Sequence, residues 1–371
     1  YEVTVSNSDL FPESGIALNR EQRTLQLSPA AGRTGTAIVT VTVVDASQLS
    51  ASQSFEVRVI LDRVIEFSDP NLLSVVRERL QKPTGDITSQ DLAGVTELWI
   101  CCRNITNLDG IQNFFNLQNL DVGHNPISDF TPLRELKGLK RLYVSGDPAF
   151  GFSELAHLPA LEHLSAGDTR RNDLTALGAF SQLRSLELHN SQLTDISPLS
   201  GLVQLDFLSL GNNPNLTDYT PLRNLPNLRT LIVSDNPAFD LAEMNHLTSV
   251  TELFIENSGR TDITILGSFP RLRTLLLDGN RIADLMPLLN LTELRTLGLN
   301  YVPMDSFSIL SSFTQLYDLY IEGTGVTDLG FVNALRQLRI LRAANNPITT
   351  ISPVVAAELP NQWLLTVNGA L

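Results

Sequence analysis

Twelve times between Val95 and Leu338 the sequence restarts one pattern of apolar residues. The units begin at Val95, Leu117, Leu139, Leu161, Leu183, Leu205, Leu228, Val250, Leu272, Leu294, Leu316 and Leu338. Every step is 22 residues except Leu205 to Leu228, which is 23. The extra residue lies in GNNPNLTD, a loop. In the unit that starts at Leu183 the apolar positions are Leu183, Leu186, Leu188, Leu193, Ile196, Leu199 and Leu202. One such unit cannot bury its own apolar face, so it must stack on copies of itself. The phase is kept through all twelve units, which chance recurrence of leucine does not do. The chain is therefore expected to form a solenoid with one short parallel strand per unit.

Each position in the unit has a physical task. The first, fourth and sixth residues are apolar and face the core, as Leu272, Leu275 and Leu277 do. The ninth is often asparagine: Asn125, Asn213, Asn236, Asn280 and Asn346. A buried asparagine there can bond the backbone of the turn, which lacks a sheet partner. Arg103, Asp147, Thr169, Ser191, Ser258, Val302 and Thr324 take this place in other units. Val302 cannot make the bond, so an irregular repeat is expected from Leu294. The thirteenth residue is usually aspartate, placed to cap a short 3₁₀ turn on the far side: Asp129, Asp173, Asp195, Asp240, Asp262, Asp284 and Asp328, with Asp218 after the insertion. The return segment is too short for a long helix. These units read as leucine-rich repeats.

Two blocks precede them. In residues 1–61, TAIVTVTVV and SQSFEVRVI alternate with period two, as half-buried strands do. The run Leu27 to Val59 resembles the bacterial immunoglobulin-like and cadherin-like modules, which implies a β-sandwich. About seven strands make such a sandwich and five are legible, so the module is expected to be incomplete at its N-terminus. Asp45 and Asp62 stand without the acidic cluster that calcium needs. In residues 62–94, Ser68 or Asp69 can cap a helix with Pro70 in its first turn and Leu72, Val75, Val76 and Leu80 as its stripe. Thr88 to Leu92 reads as a second, shorter helix. The stretch DPNLLSVVRERLQKPTGDITSQDLAGVTEL resembles the N-terminal cap of internalin-type bacterial repeat proteins. With the repeats of 95–371, the resemblance covers most of the chain. It implies a helical cap, 3₁₀ or irregular turns on the convex side, and a secreted or surface-exposed bacterial protein. In that family an immunoglobulin-like module commonly follows the repeats, whereas here it precedes them.

The net charge of −14, from 26 basic and 40 acidic residues, argues against nucleic acid as a partner. No apolar run reaches membrane-spanning length. Catalysis is not indicated: there is no Ser-His-Asp grouping, Gly-rich phosphate loop or HExxH motif, and no cofactor site is legible. Cys101 and Cys102 are adjacent and could be reduced thiols or a strained vicinal disulfide. His124, one strand over in the column of Cys102, makes a Cys-Cys-His metal site conceivable, but none is expected.

Function in such a fold is sought on the concave face, where the third, fifth, seventh and eighth residues of each unit point outward. The fifth column places Ile232, Phe254 and Leu276 side by side as an exposed apolar run. Phe207 in the third column and Tyr301 in the eighth extend it. Asp235, Glu252, Glu256, Asp278, Asp318 and Glu322 surround it, with Tyr320 further along. An apolar centre with a charged rim suits a protein interface. The expectation is a non-enzymatic extracellular binding module that recognises a protein ligand. An alternative is a structural subunit that stacks on a sister copy, because Trp363, Leu364 and Leu365 leave the C-terminal end without a polar cap. A third is glycan binding through Trp99, Tyr143 and Tyr320.

Overall fold

The computed structural model describes residues 1–349 apart from Ala46 and Asp305, together with the backbone of Leu364–Thr366. The side chains of Met244 and of Leu364–Thr366 lie outside the described residues, as does Trp363. The expected exposure at the C-terminal end therefore falls outside them too. The chain divides into two compact units, residues 1–66 with 80–94, and residues 67–79 with the repeats.

The first unit is strand-rich. Strands β1 (Glu2–Val5), β4 (Gly35–Val44) and β5 (Ser50–Val59) form an antiparallel sheet in the order β1-β4-β5. Strands β2 (Ile16–Asn19) and β3 (Thr24–Leu27) form a separate hairpin. Leu10, Phe11 and Ala37 are buried, with Val5, Ile16, Leu27, Val57 and Val59 packed on them. Gly15 stands where the chain passes against Ser28; a Cβ there would lie 2.2 Å from the Ser28 carbonyl oxygen. Further on, Asp91 accepts the Thr88 N–H at 2.7 Å and the Lys82 ammonium at 2.7 Å. This caps a short helix, α2 (Ser89–Leu92).

The second unit begins with helix α1 (Pro70–Leu80), whose Leu72, Val75 and Val76 are buried. Of the two candidate caps, Asp69 serves. Its Oδ1 accepts the N–H of Asn71 at 2.8 Å and of Leu72 at 3.1 Å. The repeats then build one parallel sheet. Its strands are β6 (Glu97–Trp99), β7 (Asn119–Asp121), β8 (Arg141–Tyr143), β9 (His163–Ser165), β10 (Ser185–Glu187), β11 (Phe207–Ser209), β12 (Thr230–Ile232), β13 (Glu252–Phe254), β14 (Thr274–Leu276), β15 (Thr296–Gly298), β16 (Asp318–Tyr320) and β17 (Ile340–Arg342). A further strand, β18 (Leu364–Thr366), pairs with β17. Each strand follows its neighbour in sequence and in space, as a solenoid requires.

The phase read from the sequence holds. Leu183, Leu186, Leu188, Leu193, Leu199 and Leu202 are 0% exposed and Ile196 is 1%. Each such side chain contributes roughly 1.5–3 kcal/mol. The asparagine positions do more than bond their own turn. Asn213 accepts the N–H groups of Ser191 and Leu193 at 3.1 and 3.0 Å from the preceding repeat. It donates to the carbonyls of Leu188 at 3.0 Å and Leu210 at 2.8 Å. Asn125 and Asn280 repeat this bridge, so the side chain ties one coil to the next.

All eight thirteenth-position aspartates accept the N–H two residues on, at 2.7–3.1 Å. Hydrogen bonds from Thr131, Thr175, Thr220 and Thr264 hold Asp129, Asp173, Asp218 and Asp262 below the usual carboxylate range. The turns they start are 3₁₀, as in Ser197–Gly201 and Thr264–Ser268.

The repeat from Leu294 corrects the expectation of irregularity. Its strand pairs in register on both sides, Leu275 with Leu297 and Leu297 with Leu319. Val302 is fully buried. The amide of Asn280, deprived of a side-chain acceptor from Val302, turns to the carbonyl of Leu277 at 3.3 Å.

Candidate functional site

Strand alternation decides which side chains the sheet presents. In β13, Leu253 is 0% exposed, whereas Glu252 and Phe254 on either side are half-buried on the outer face. Ile232, Phe254 and Leu276 are direct partners across β12, β13 and β14. They are half-buried, not exposed as the sequence suggested. Neighbours about 4.8 Å apart cover one another's flanks. Phe207 on β11 is half-buried for the same reason. Tyr301 is the open member, at 59% exposure.

The acids are tied into the face. Glu252 accepts the hydroxyl of Thr230 at 3.0 Å, and Glu256 accepts that of Ser234. Burial pushes Glu256 above the usual carboxylate range; the Ser234 bond opposes this, while Asp278 and Asp235 add to it. Asp278 accepts the N–H of Asn300 at 3.0 Å and its side-chain amide at 2.6 Å. Asn300 in turn accepts the N–H of Glu322 at 2.7 Å. Burial raises Asp278 too, against the Asn300 bonds, and Glu322 adds to the rise. The half-buried Tyr320 lies 5.2 Å from the Arg342 guanidinium. Asp235 is exposed at the rim.

The eighth position has a backbone role that column reading missed. In all twelve units it has positive φ: Cys102, His124, Gly146, Asp168, Asn190, Asn212, Asp235, Asn257, Gly279, Tyr301, Gly323 and Asn345. Glycine, asparagine and aspartate tolerate this region; a tyrosine there is strained. Tyr301, at φ 57°, accepts that strain and lays its ring over Gly323, where a Cβ would lie 2.6 Å from it. Gly298 is a second such seat: a Cβ there would meet Leu276 at 2.7 Å and Asp278 at 2.6 Å. The presence of glycine beside a large outward residue was the signal available in the sequence.

Residues 181–224 match the family described as Leucine Rich repeats (2 copies). An internalin (inlF) from Listeria monocytogenes is 27% identical, with a TM-score of 0.66, over 82% of this chain and 91% of that one. The chain is an internalin-type leucine-rich-repeat protein. An internalin C2 (inlC2) from the same organism is 35% identical, with a TM-score of 0.49, over 63% of this chain and 94% of that one. The Toll–Spatzle complex of Drosophila shares the fold at 20% identity, with a TM-score of 0.52, over 72% of this chain and 40% of that one. No curated protein sequence matches the chain.

At the first coils of the solenoid two of the three aromatics named for glycan binding come together. Trp99 and Tyr143 meet with ring centroids 5.8 Å apart, across the intervening strand β7. The cysteines beside them are free thiols, and burial pushes Cys101 up to about 12, with Cys102 and Asp121 adding to the rise. The His124 ring lies over Gly146, on the strand beyond, where a Cβ would be 2.2 Å from its Nδ1. Among the described residues no group of three or more metal-ligating side chains forms, the Cys-Cys-His arrangement included. No helix among them is long and apolar enough to cross a membrane.

Proposed function

We propose that this chain is a non-enzymatic extracellular binding module that recognises a protein ligand, at a bacterial cell surface, through the strand face of its repeats. The docking centre is Ile232, Phe254 and Leu276, with Phe207 on one side and Tyr301 on the other. Asp235, Glu252, Glu256, Asp278 and Glu322 form its rim, and Tyr320 extends it along the sheet. The observation that carries the reading is the register of Ile232, Phe254 and Leu276 on three adjacent strands, which makes one continuous apolar strip bordered by acids. Interfaces place such a strip at the centre and charge around it. The acid rim fits a ligand with a basic border.

The test is matched capture of surface proteins on immobilised wild-type chain, Phe254→Ala and Thr264→Ala, the last lying in a 3₁₀ turn. The reading expects one protein retained by wild type and Thr264→Ala and lost with Phe254→Ala. Retention by all three variants would defeat it. Light scattering on the purified chain separates the alternative of a sister-subunit contact, which would show as association without any partner.

A further inference from the structure

The strand face ends on an edge formed by the second residue of each unit. From β12 to β17 this column runs Arg229, Thr251, Arg273, Arg295, Tyr317 and Arg339, without a single acid. In a chain of net charge −14 that is a local reversal of sign. Strand spacing makes the row about 24 Å long, with basic residues recurring at one or two strand steps.

The row is shaped as well as charged. Between Arg229 and Arg273 lies a depression of about 370 Å³, lined by Asn227, Arg229, Ser249, Thr251, Arg271, Arg273 and Glu293. Ser249 and Thr251 are the small residues at its middle, and the arginines rise around them. Arg273 is held by Glu293, through its Nε at 3.0 Å and its Nη2 at 2.9 Å. The guanidiniums of Arg229 and Arg271 make no hydrogen bond or ion pair among the described residues. Further along, Arg295 and Arg339 pack on Tyr317, at 5.3 and 4.5 Å from its ring centroid. That stack holds two guanidiniums in place before any ligand arrives. Of the acids nearby, Glu293 is paired with Arg273, and Asp206 precedes Arg229 in the same column, just before β11. Glu252 and Asp318 face the sheet and accept the hydroxyls of Thr230 and Thr296. The seventh-position acids lie five residues away along the strand, about 16 Å, beyond the Debye length of about 8 Å at physiological salt.

We infer that this edge binds a sulfated polysaccharide, with a sulfate seated between Arg229 and Arg271. Guanidinium forks match tetrahedral oxyanions. An extended glycan with a repeating sulfate presents charge at regular intervals, as the coils of the solenoid present arginine. A nucleic acid fits less well, because the one aromatic ring of the row, Tyr317, is occupied by two guanidiniums and offers no free face for a base.

The test is calorimetric titration of the full chain with a heparin-derived octasaccharide over a salt series. Arg229→Ser/Arg271→Ser should weaken binding about tenfold and reduce the log–log salt slope by about two. Arg170→Ser/Arg171→Ser removes the same charge elsewhere and should leave affinity unchanged. The desulfated octasaccharide should not bind. Phe254→Ala should have no effect, so this result stands apart from that of the strand face. The inference is overturned if the sulfated octasaccharide fails to bind at low salt, or if both arginine pairs matter equally. It is also overturned if polyglutamate binds as tightly, which would assign the edge to an acidic protein segment.

Discussion

Asp69 and Thr106, 37 residues apart in sequence, are joined at 2.7 Å by a hydrogen bond from the Thr106 N–H to Oδ2 of Asp69. The same oxygen accepts the Thr106 hydroxyl at 2.9 Å and the N–H of Asn107 at 3.2 Å, while Oδ1 caps α1. One carboxylate thus fastens the cap helix to the first repeat turn. Burial pushes its pKa up, but these bonds outweigh burial and hold it below 3.8. Its contribution is therefore complete above the unfolded value of 3.8 and is lost as pH falls through the folded value. Asp69→Ala should cost about 3 kcal/mol at neutral pH. Urea unfolding should show that gap narrowing in acid.

Asp147 has the opposite sign. It occupies the ninth position, where other repeats place an asparagine that donates to carbonyls. It is fully buried, and neither carboxylate oxygen has a hydrogen bond of good geometry, the backbone N–H groups of Asn125 and Ile127 giving it only weak support. Burial, with the charge of Asp121 added, pushes it up to about 7, against the N–H groups of Asn125 and Ile127. Between 3.8 and about 7 the folded state keeps a proton that the unfolded state has released. Stability should therefore fall across that window by about 1.4 kcal/mol per pH unit, about 4 kcal/mol in all, and then level off. Asp147→Asn should remove this slope. Its stabilising effect, read as a shift in melting temperature, should be largest near pH 8 and smallest below pH 4. An equal shift at every pH would show that Asp147 is not protonated in the fold.

What the sequence made legible is what recurs. Leu253, Asn213 and Asp262 stand at positions that repeat with the coil, so period alone assigns their tasks. The bridging by asparagine between coils was not legible, because it depends on where the neighbouring turn comes to rest. Nor was the half-burial of Ile232, Phe254 and Leu276, which follows from the size of the residues beside each. Asp147 was visible as a substitution, but its raised pKa depends on the burial that the stacked coils impose. The basic edge from Arg229 to Arg339 was written in the second column, which becomes a surface only when the coils are stacked. The place of the His124 ring likewise depends on Gly146, on the next coil.

Charge reversal at the rim should separate two kinds of acid. Glu252→Lys changes a half-buried group at the side of the apolar strip, so it should slow association and flatten its salt dependence with little loss of stability. Glu256→Lys should also lower the melting temperature, because burial and the Ser234 bond make that site intolerant of an ammonium group. Stopped-flow association kinetics and thermal melts on the two variants check both statements.

The most direct measurement compares Leu253→Ala with Phe254→Ala, in thermal unfolding and in partner capture. Leu253 is wholly buried, so its truncation should cost about 2–5 kcal/mol as a core cavity. Phe254 is half-buried on the strand face, so its truncation should cost about 1 kcal/mol in stability and abolish capture of the protein ligand. A Phe254→Ala chain that unfolds while Leu253→Ala stands would put the outward face in the wrong register. A folded Phe254→Ala chain that still holds the wild-type partner at full affinity would contradict the assignment of that face to binding.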